Sequence, residues 1–386
     1  MSNKSDKLKK LHVIRSSRAQ YTSFRRARYL NIKRKGIFTR VDERKIKKSS
    51  LKKAKCPTII CLEENREETL LFLLQASSVN DRNRRQRRSP PPPTTSYFDF
   101  TPVEKICPSS ALILCSVYDT LIRRGRKFHV YEWDDWKPQV KKVFERLGFF
   151  EWLKHSVATD AAGESELPIQ SFQSFQSKSK ADSTTTGTYV ETLSKSIENF
   201  SELEDPKVKF RWGQTASAII EAVENSVRHA YDQSYPKFVR QRWWIGGITD
   251  PKTRSLQIIC YDAGVSIPAH IERYALDSEL DATLIKKQVG KVLNVFKTKT
   301  NQIENDHNLD HKRLGIAMRL FTSSSFKSGS GRGLSSIASC IEQFTDGEVE
   351  ILSRRAYYTK SKGNRPQSAL LSSSLPGTLI IWKVSL

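Results

Sequence analysis

"EAVENSVRHAYD", residues Glu221–Asp232, lies in the second half of a 386-residue chain and decides how the rest is read. The surrounding "TASAIIEAVENSVRHAYDQ" has helical spacing. Ala216, Ile220, Val223 and Val227 fall four, three and four residues apart and form an apolar stripe that should face a core. Glu221 and Asn225 are i and i+4, so they share a face, about 200° round the helix from Val223. His229 follows one turn on; packing or capping explains it as well as chemistry does. An isolated E-x-x-x-N is as a rule a solvated polar side, and this pair gains meaning only from its context.

Downstream comes "LQIICYDAGVSIP", a buried strand that ends in Asp262, Ala263 and Gly264. A carboxylate at a strand end can accept a hydrogen bond from an exocyclic amine, and the adjoining glycine lets a flat base approach. Further on, "SFKSGSGRGLSSIASCIEQF" alternates Gly329, Gly331 and Gly333 before a helix with apolar Leu334, Ile337 and Ile341. Glycines permit close backbone approach, and a helix N-terminus offers free N–H groups to phosphate. "LPGTLIIWKV" then forms a strand opened by Gly377 and Thr378.

E-x-x-x-N, D-x-G, G-x-G-x-G-L and G-T, in that order, resemble the four boxes of the GHKL ATPase superfamily. "EAVENSVRHAYD" is most similar to the version in anti-sigma-factor serine kinases. The resemblance covers about residues 205–386. It implies a Bergerat-type two-layer α/β sandwich with a mixed sheet, and ATP and Mg²⁺ as cofactors. By the same resemblance Asn225 would supply an oxygen to Mg²⁺, and Glu221 would act as the general base on water or on a partner's serine. Asp262 would bond the adenine amino group, with Gly264 making room for the ring. Gly329, Gly331 and Gly333, with the backbone around Arg332 and Leu334, would wrap the phosphates. Thr378 would lie beneath the adenine. The acid at Glu221 favours hydrolytic or serine-phosphorylating members, and no phospho-accepting histidine box stands upstream. Glu224 is a rival acid at the wrong spacing.

The chain departs from the family in two places. Ser266 stands where D-x-G-x-G has its second glycine, which implies a less open turn. About 60 residues separate Pro268 from Gly329, a long lid with a helical run, "ATLIKKQVGKVLNVF", and a polar patch, "TNQIENDHNLDH". Asp306, His307, Asp310 and His311 in that patch could mimic a metal site; a solvated polar loop explains them equally.

The net charge is +24, and residues 1–55 carry +17 of it, with 20 Lys and Arg against three acids. "RNRRQRR", Arg82 to Arg88, is a second basic cluster ahead of "SPPPPTTS". Such blocks attract polyanions by counterion release, and the interleaved "YTSFRRARYLNIKRK" has aromatics suited to base stacking. A solubilising tail is the plainer reading. Six cysteines lack any C-x-x-C pairing and sit mostly in apolar runs, which points to buried free thiols in a reducing, cytoplasmic setting. No apolar run reaches membrane-spanning length.

We divide the chain into a basic arm, 1–55; a small α/β domain, 56–157; a polar linker, 158–188; and the ATP-binding domain, 189–386. In the small domain "TIICLE", "YFDF" and "KFHVYEW" read as strands, and "REETLLFLLQASS", "CPSSALILCSVYDTLIRRG" and "PQVKKVFERLG" as helices. The order resembles a STAS domain through the strand ending in aspartate, the helix after it and the closing "LGFFEWL". That resemblance implies a phosphorylatable Ser109 or Ser110, whereas their place beside Pro108 suits first-turn polarity.

Three functions follow. One is a slow ATPase or serine kinase that switches a protein partner, compatible with a homodimer. The second is an ATP-gated nucleic-acid-binding subunit of a larger complex, as in genome defence or a mobile element. The third is a non-catalytic ATP-binding scaffold.

Overall fold

The computed structural model describes residues 52–78, 96–123, 130, 132–152, 206–231, 242–250, 253–276, 307–320 and 333–385. In chain order these form β1 (Lys52–Lys55), β2 (Ile59–Ile60), α1 (Arg66–Ser78), β3 (Ser96–Asp99), β4 (Lys105–Ile106), α2 (Pro108–Arg123), α3 (Pro138–Arg146) and α4 (Phe149–Trp152). The second half holds α5 (Pro206–His229), β5 (Trp243–Asp250), β6 (Ser255–Asp262), α6 (Ile267–Leu276), α7 (Asp310–Leu320), α8 (Gly333–Ser339), β7 (Asp346–Ser361) and β8 (Gln367–Ser385). The basic arm to residue 51, Arg82–Arg88, the linker and the lid helix at 282–296 lie outside the described residues.

The N-terminal unit pairs β1 with β3 and β2 with β4, both parallel, with α1 as the crossover. Of its three longer helices, α2 and α3 each open on proline. Phe98, Phe100, Tyr118, Trp136, Phe144, Phe149 and Phe150 form one aromatic core of edge-on and tilted pairs. One expectation, the third strand, fails here, while Ser109 and Ser110 take the first-turn place expected beside Pro108. No strand forms at Glu132–Trp133: Glu132 takes φ 49° and leads into a single 3₁₀ turn at Trp133–Asp135. Ser109 and Ser110 are wholly buried, each 3.1 Å from Cys107 Sγ, so neither offers a hydroxyl to a kinase in this packing. All six cysteines are buried and free, as expected.

The C-terminal half is built on a four-stranded sheet, order β5-β6-β8-β7, antiparallel throughout. The expected mixed sheet is not met among the described residues. β5–β6 and β7–β8 follow each other directly, and such neighbours pair antiparallel.

The sheet is buried on both sides. Trp382 donates its indole N–H to Ile337 O of α8 at 2.9 Å. The next residue, Lys383, points the other way and meets Glu63, just before α1, and Glu350, both at 2.7 Å. α5, α7 and α8 cover the first face; α1 lies on β8, and α2 on β5 and β6, at the second. The two layers expected become three. One hydrophobic core runs from Ile60 to Val384, and the N-terminal unit is the third layer. This arrangement explains why "LQIICY" and "TLIIW" are continuously apolar rather than alternating.

β7 and β8 extend beyond the other strands as a ribbon. Bulges between Ser353 and Ala356, where Arg354 takes φ 55°, bend it. Its outer half returns toward the start of β7, where Lys362 N–H donates to Gly347 O at 2.8 Å and Lys360 pairs with Glu342 at 2.7 Å.

Candidate functional site

The residue row that crosses the sheet at the end of β6 organises the site. Trp243 is paired with Asp262, Asp262 with Thr378, and Thr378 with Ser353. The face of this row that Asp262 shares with Ser353 and Thr378 looks toward α5. Ser226 of α5 donates its hydroxyl to Asp262 Oδ2 at 3.0 Å, and Gly264 N–H donates to Oδ1 at 2.9 Å. Thr378 Oγ1 lies 2.9 Å from Ser353 Oγ, and Ser353 Oγ also accepts the N–H of Ile267 at 2.9 Å. Three of the expected site residues, Asp262, Gly264 and Thr378, are therefore brought together, with the helix of Glu221 and Asn225 alongside.

Close backbone contact makes the glycines necessary. A Cβ on Gly264 would stand 2.2 Å from Ala230 O, and one on Gly377, which has φ 85°, would stand 1.9 Å from Asp262 O. The end of α5, the turn after β6 and the start of the inner part of β8 are thus pressed together with no space for a side chain. Val265 N–H seals the contact by donating to Ala230 O at 2.7 Å. Ser266 takes φ 81° and is buried. The backbone keeps the left-handed conformation that favours glycine although a serine occupies it. A serine held at this φ carries strain.

Burial pushes the Asp262 carboxyl up to about 6, against the opposing hydrogen bonds from Gly264, Ser226 and the Thr378 backbone. Glu221 is also raised, by partial burial and then by the charge of Glu224, with Arg228 opposing. Glu224 is tied to Arg228 at 2.7 Å, while Glu221 has no such ion pair among the described residues. The Nδ2 atom of Asn225 is buried and has no hydrogen-bond partner among the described residues. The same side chain carries a carbonyl oxygen, the ligand type that a hard cation prefers. His229 is exposed, its ring 4.7 Å from that of His270.

Gly329, Gly331 and Arg332 lie outside the described residues. Gly333 opens α8, which packs on α5, and Leu334, Ile337 and Ile341 are buried as their spacing predicts. Asp306 is outside the described residues too. Asp310 is not free for a metal: it is fully buried and held by Arg313 at 3.1 Å, by Arg354 at 2.7 Å and by the Arg355 N–H at 3.3 Å. No cluster of three or more His, Cys, Asp or Glu suited to a metal occurs among the described residues.

The stripe read in the sequence packs on the core, with Val223 buried, but the deepest face of α5 lies beside it. Thr215, Ile219, Ala222, Ser226 and Ala230 are the buried positions in that line, while Ala216, Ile220 and Val227 are only partly buried beside them. The helix turns its small residues inward because the glycine turn needs a thin partner there. Ser226 and Ser353 were thereby missed, since a hydroxyl in a helix or strand reads as a polar exterior. The repeat of small residues at 218, 222, 226 and 230 was the available signal. Compared with known protein families, with characterised proteins and with solved structures, the chain matches none.

Proposed function

We propose that the C-terminal half binds Mg-ATP in the manner of a GHKL, Bergerat-type ATPase. The observation that carries this reading is the carboxylate of Asp262, fixed by Gly264 and Ser226 beside Thr378, under the helix whose Asn225 Nδ2 has no hydrogen-bond partner among the described residues. In it Asp262 accepts a hydrogen bond from the adenine amino group and Thr378 lies beneath the ring. Asn225 offers its side-chain oxygen to the cation. Gly329, Gly331, Arg332, Gly333 and Leu334 belong to the segment expected to line the phosphates. A magnesium nucleotide, when bound, supplies an electrophilic phosphorus and a divalent charge to neutralise its oxygens. Glu221 serves as the base that takes a proton from the attacking hydroxyl, and its raised proton affinity suits that task.

The acceptor, water or a serine of a protein partner, separates an ATPase switch from a serine kinase. Both use the same residues.

The test is calorimetry and turnover on two variants. Asn225→Ala should lose magnesium-dependent ATP binding. Glu221→Ala should keep it and lose about 10²–10⁴-fold in turnover, the usual contribution of a positioned base. Wild-type affinity in Asn225→Ala would contradict the assignment.

A further inference from the structure

Tyr231, just after α5, ties two segments together. Its hydroxyl donates to the carbonyl oxygen of Arg242, at the foot of β5, and accepts the N–H of Ala263 at 3.0 Å. Arg242 is 4% exposed, and its guanidinium meets the carboxylate of Asp119, also 4% exposed. Asp119 belongs to α2, in the N-terminal unit. Polar contacts thus run from α2 to the peptide beside Asp262. Two charges buried this deeply are costly to desolvate, and their pairing offsets part of that cost. Such a pair fixes the relative position of α2 and β5 more than it adds stability.

The turn after Asp262 is held at four amides. Gly264 N–H goes to Asp262, Val265 N–H to Ala230, Ile267 N–H to Ser353 and Ala263 N–H to Tyr231. The first three partners belong to the C-terminal half itself. Only the fourth leads on to the N-terminal unit.

We propose that Asp119, Arg242 and Tyr231 are positioning residues through which the N-terminal unit sets the geometry of the Asp262–Gly264 turn, and with it the strength of nucleotide binding. The last clause rests on the ATP reading above. Displacing α2 loosens the turn. By linkage, a nucleotide that tightens the turn holds α2 in place by the same factor.

The test uses the full chain with Tyr231→Phe, Asp119→Asn and the double variant. Hydrogen exchange over residues 258–268 is measured without nucleotide, beside Mg-ATP calorimetry and thermal unfolding. Tyr231→Phe should speed exchange at Ala263 about tenfold, the worth of one hydrogen bond, and leave the middle of β6 protected. Asp119→Asn, a change in α2 rather than in the turn, should produce the same local change. Both variants should weaken Mg-ATP about fivefold, and the double should be no worse than Tyr231→Phe alone, because both cut one chain of contacts. If Asp119→Asn fails to fold, Arg242→Lys is read in the same way, since it keeps the charge and loses the guanidinium fork.

Wild-type exchange at Ala263 in Asp119→Asn, or strictly additive effects, would overturn the proposal. So would unchanged Mg-ATP affinity alongside altered exchange, since the turn would then not govern binding. If exchange moves as stated but wild type itself binds no Mg-ATP, the positioning role stands and the ATP reading is what fails.

Discussion

Ser266 and Asp262 carry the residue-scale argument. Ser266 holds φ 81° in a buried turn, a conformation that costs a non-glycine residue about 1 kcal/mol. Ser266→Gly should therefore stabilise the protein by about that amount, raising the melting temperature by a few degrees, without loss of nucleotide affinity. Destabilisation would mean that the serine's hydrogen bonding outweighs its strain. Asp262 predicts a pH effect whose sign follows from burial. Its pKa rises from 3.8 to about 6 on folding, so the folded state holds the proton more tightly. That contribution, up to about 3 kcal/mol, is fully present below pH 4 and is lost as pH rises through about 6. Thermal unfolding of the nucleotide-free protein between pH 4 and 7 should show this fall, and Asp262→Asn should remove it. Binding of an amine donor needs the ionised form and should run the opposite way, weakening below pH 6. The place of Asp262 at the Gly264 turn was legible because a carboxylate, a glycine and a strand end stand together in the sequence. Ser226, which holds that carboxylate, was not, because its hydroxyl passes for a polar exterior and only the repeat of small residues at 218, 222, 226 and 230 marks it as inward.

At the scale of elements, long helices with caps were readable: α1 covers the predicted "REETLLFLLQASS" from end to end, and α2 and α3 begin at their prolines. Short strands were harder. "TIICLE" yields only Ile59–Ile60, and the end of "KFHVYEW", Glu132 and Trp133, turns rather than extends. The bend of the β7–β8 ribbon at Arg354 has no glycine to announce it; the clasp of Arg354 on Asp310 holds that residue in place. The packing of α5 on the Gly264 turn predicts a sharp sensitivity. Gly264→Ala puts a Cβ 2.2 Å from the Ala230 carbonyl, so it should cost about 1–3 kcal/mol as the helix end is forced away. An unchanged denaturant midpoint would show that the contact is loose.

For the whole molecule, the third layer is the main departure from what was expected. A sandwich with one open sheet face needs alternating strands, and the unbroken apolar runs "QIICY" and "LIIW" already argued for two covered faces. Their meaning was lost because the N-terminal half was treated as a separate domain. If α1 and α2 are its cover, residues 189–386 expressed alone should expose Ile259, Leu379 and Ile381 and should aggregate or bind a hydrophobic dye. A soluble, cooperative fragment would contradict the shared core. The basic blocks belong to this scale as well. Nucleic-acid binding through residues 1–55 and Arg82–Arg88 remains a proposal, motivated by the charge of +17 over the arm. It predicts an affinity that drops steeply with salt, with a shallower slope after deletion of residues 1–51.

The most direct test of the central claim is a calorimetric comparison of Mg-ATP and Mg-GTP on the intact chain. Asp262 can accept from the adenine amino group but would face a carbonyl oxygen in guanine, setting one acceptor against another in a buried site. The account predicts ATP binding favoured by about 10²-fold or more, with the preference abolished in Asp262→Asn. Equal affinity for the two nucleotides, or no magnesium-dependent binding of either, would contradict it.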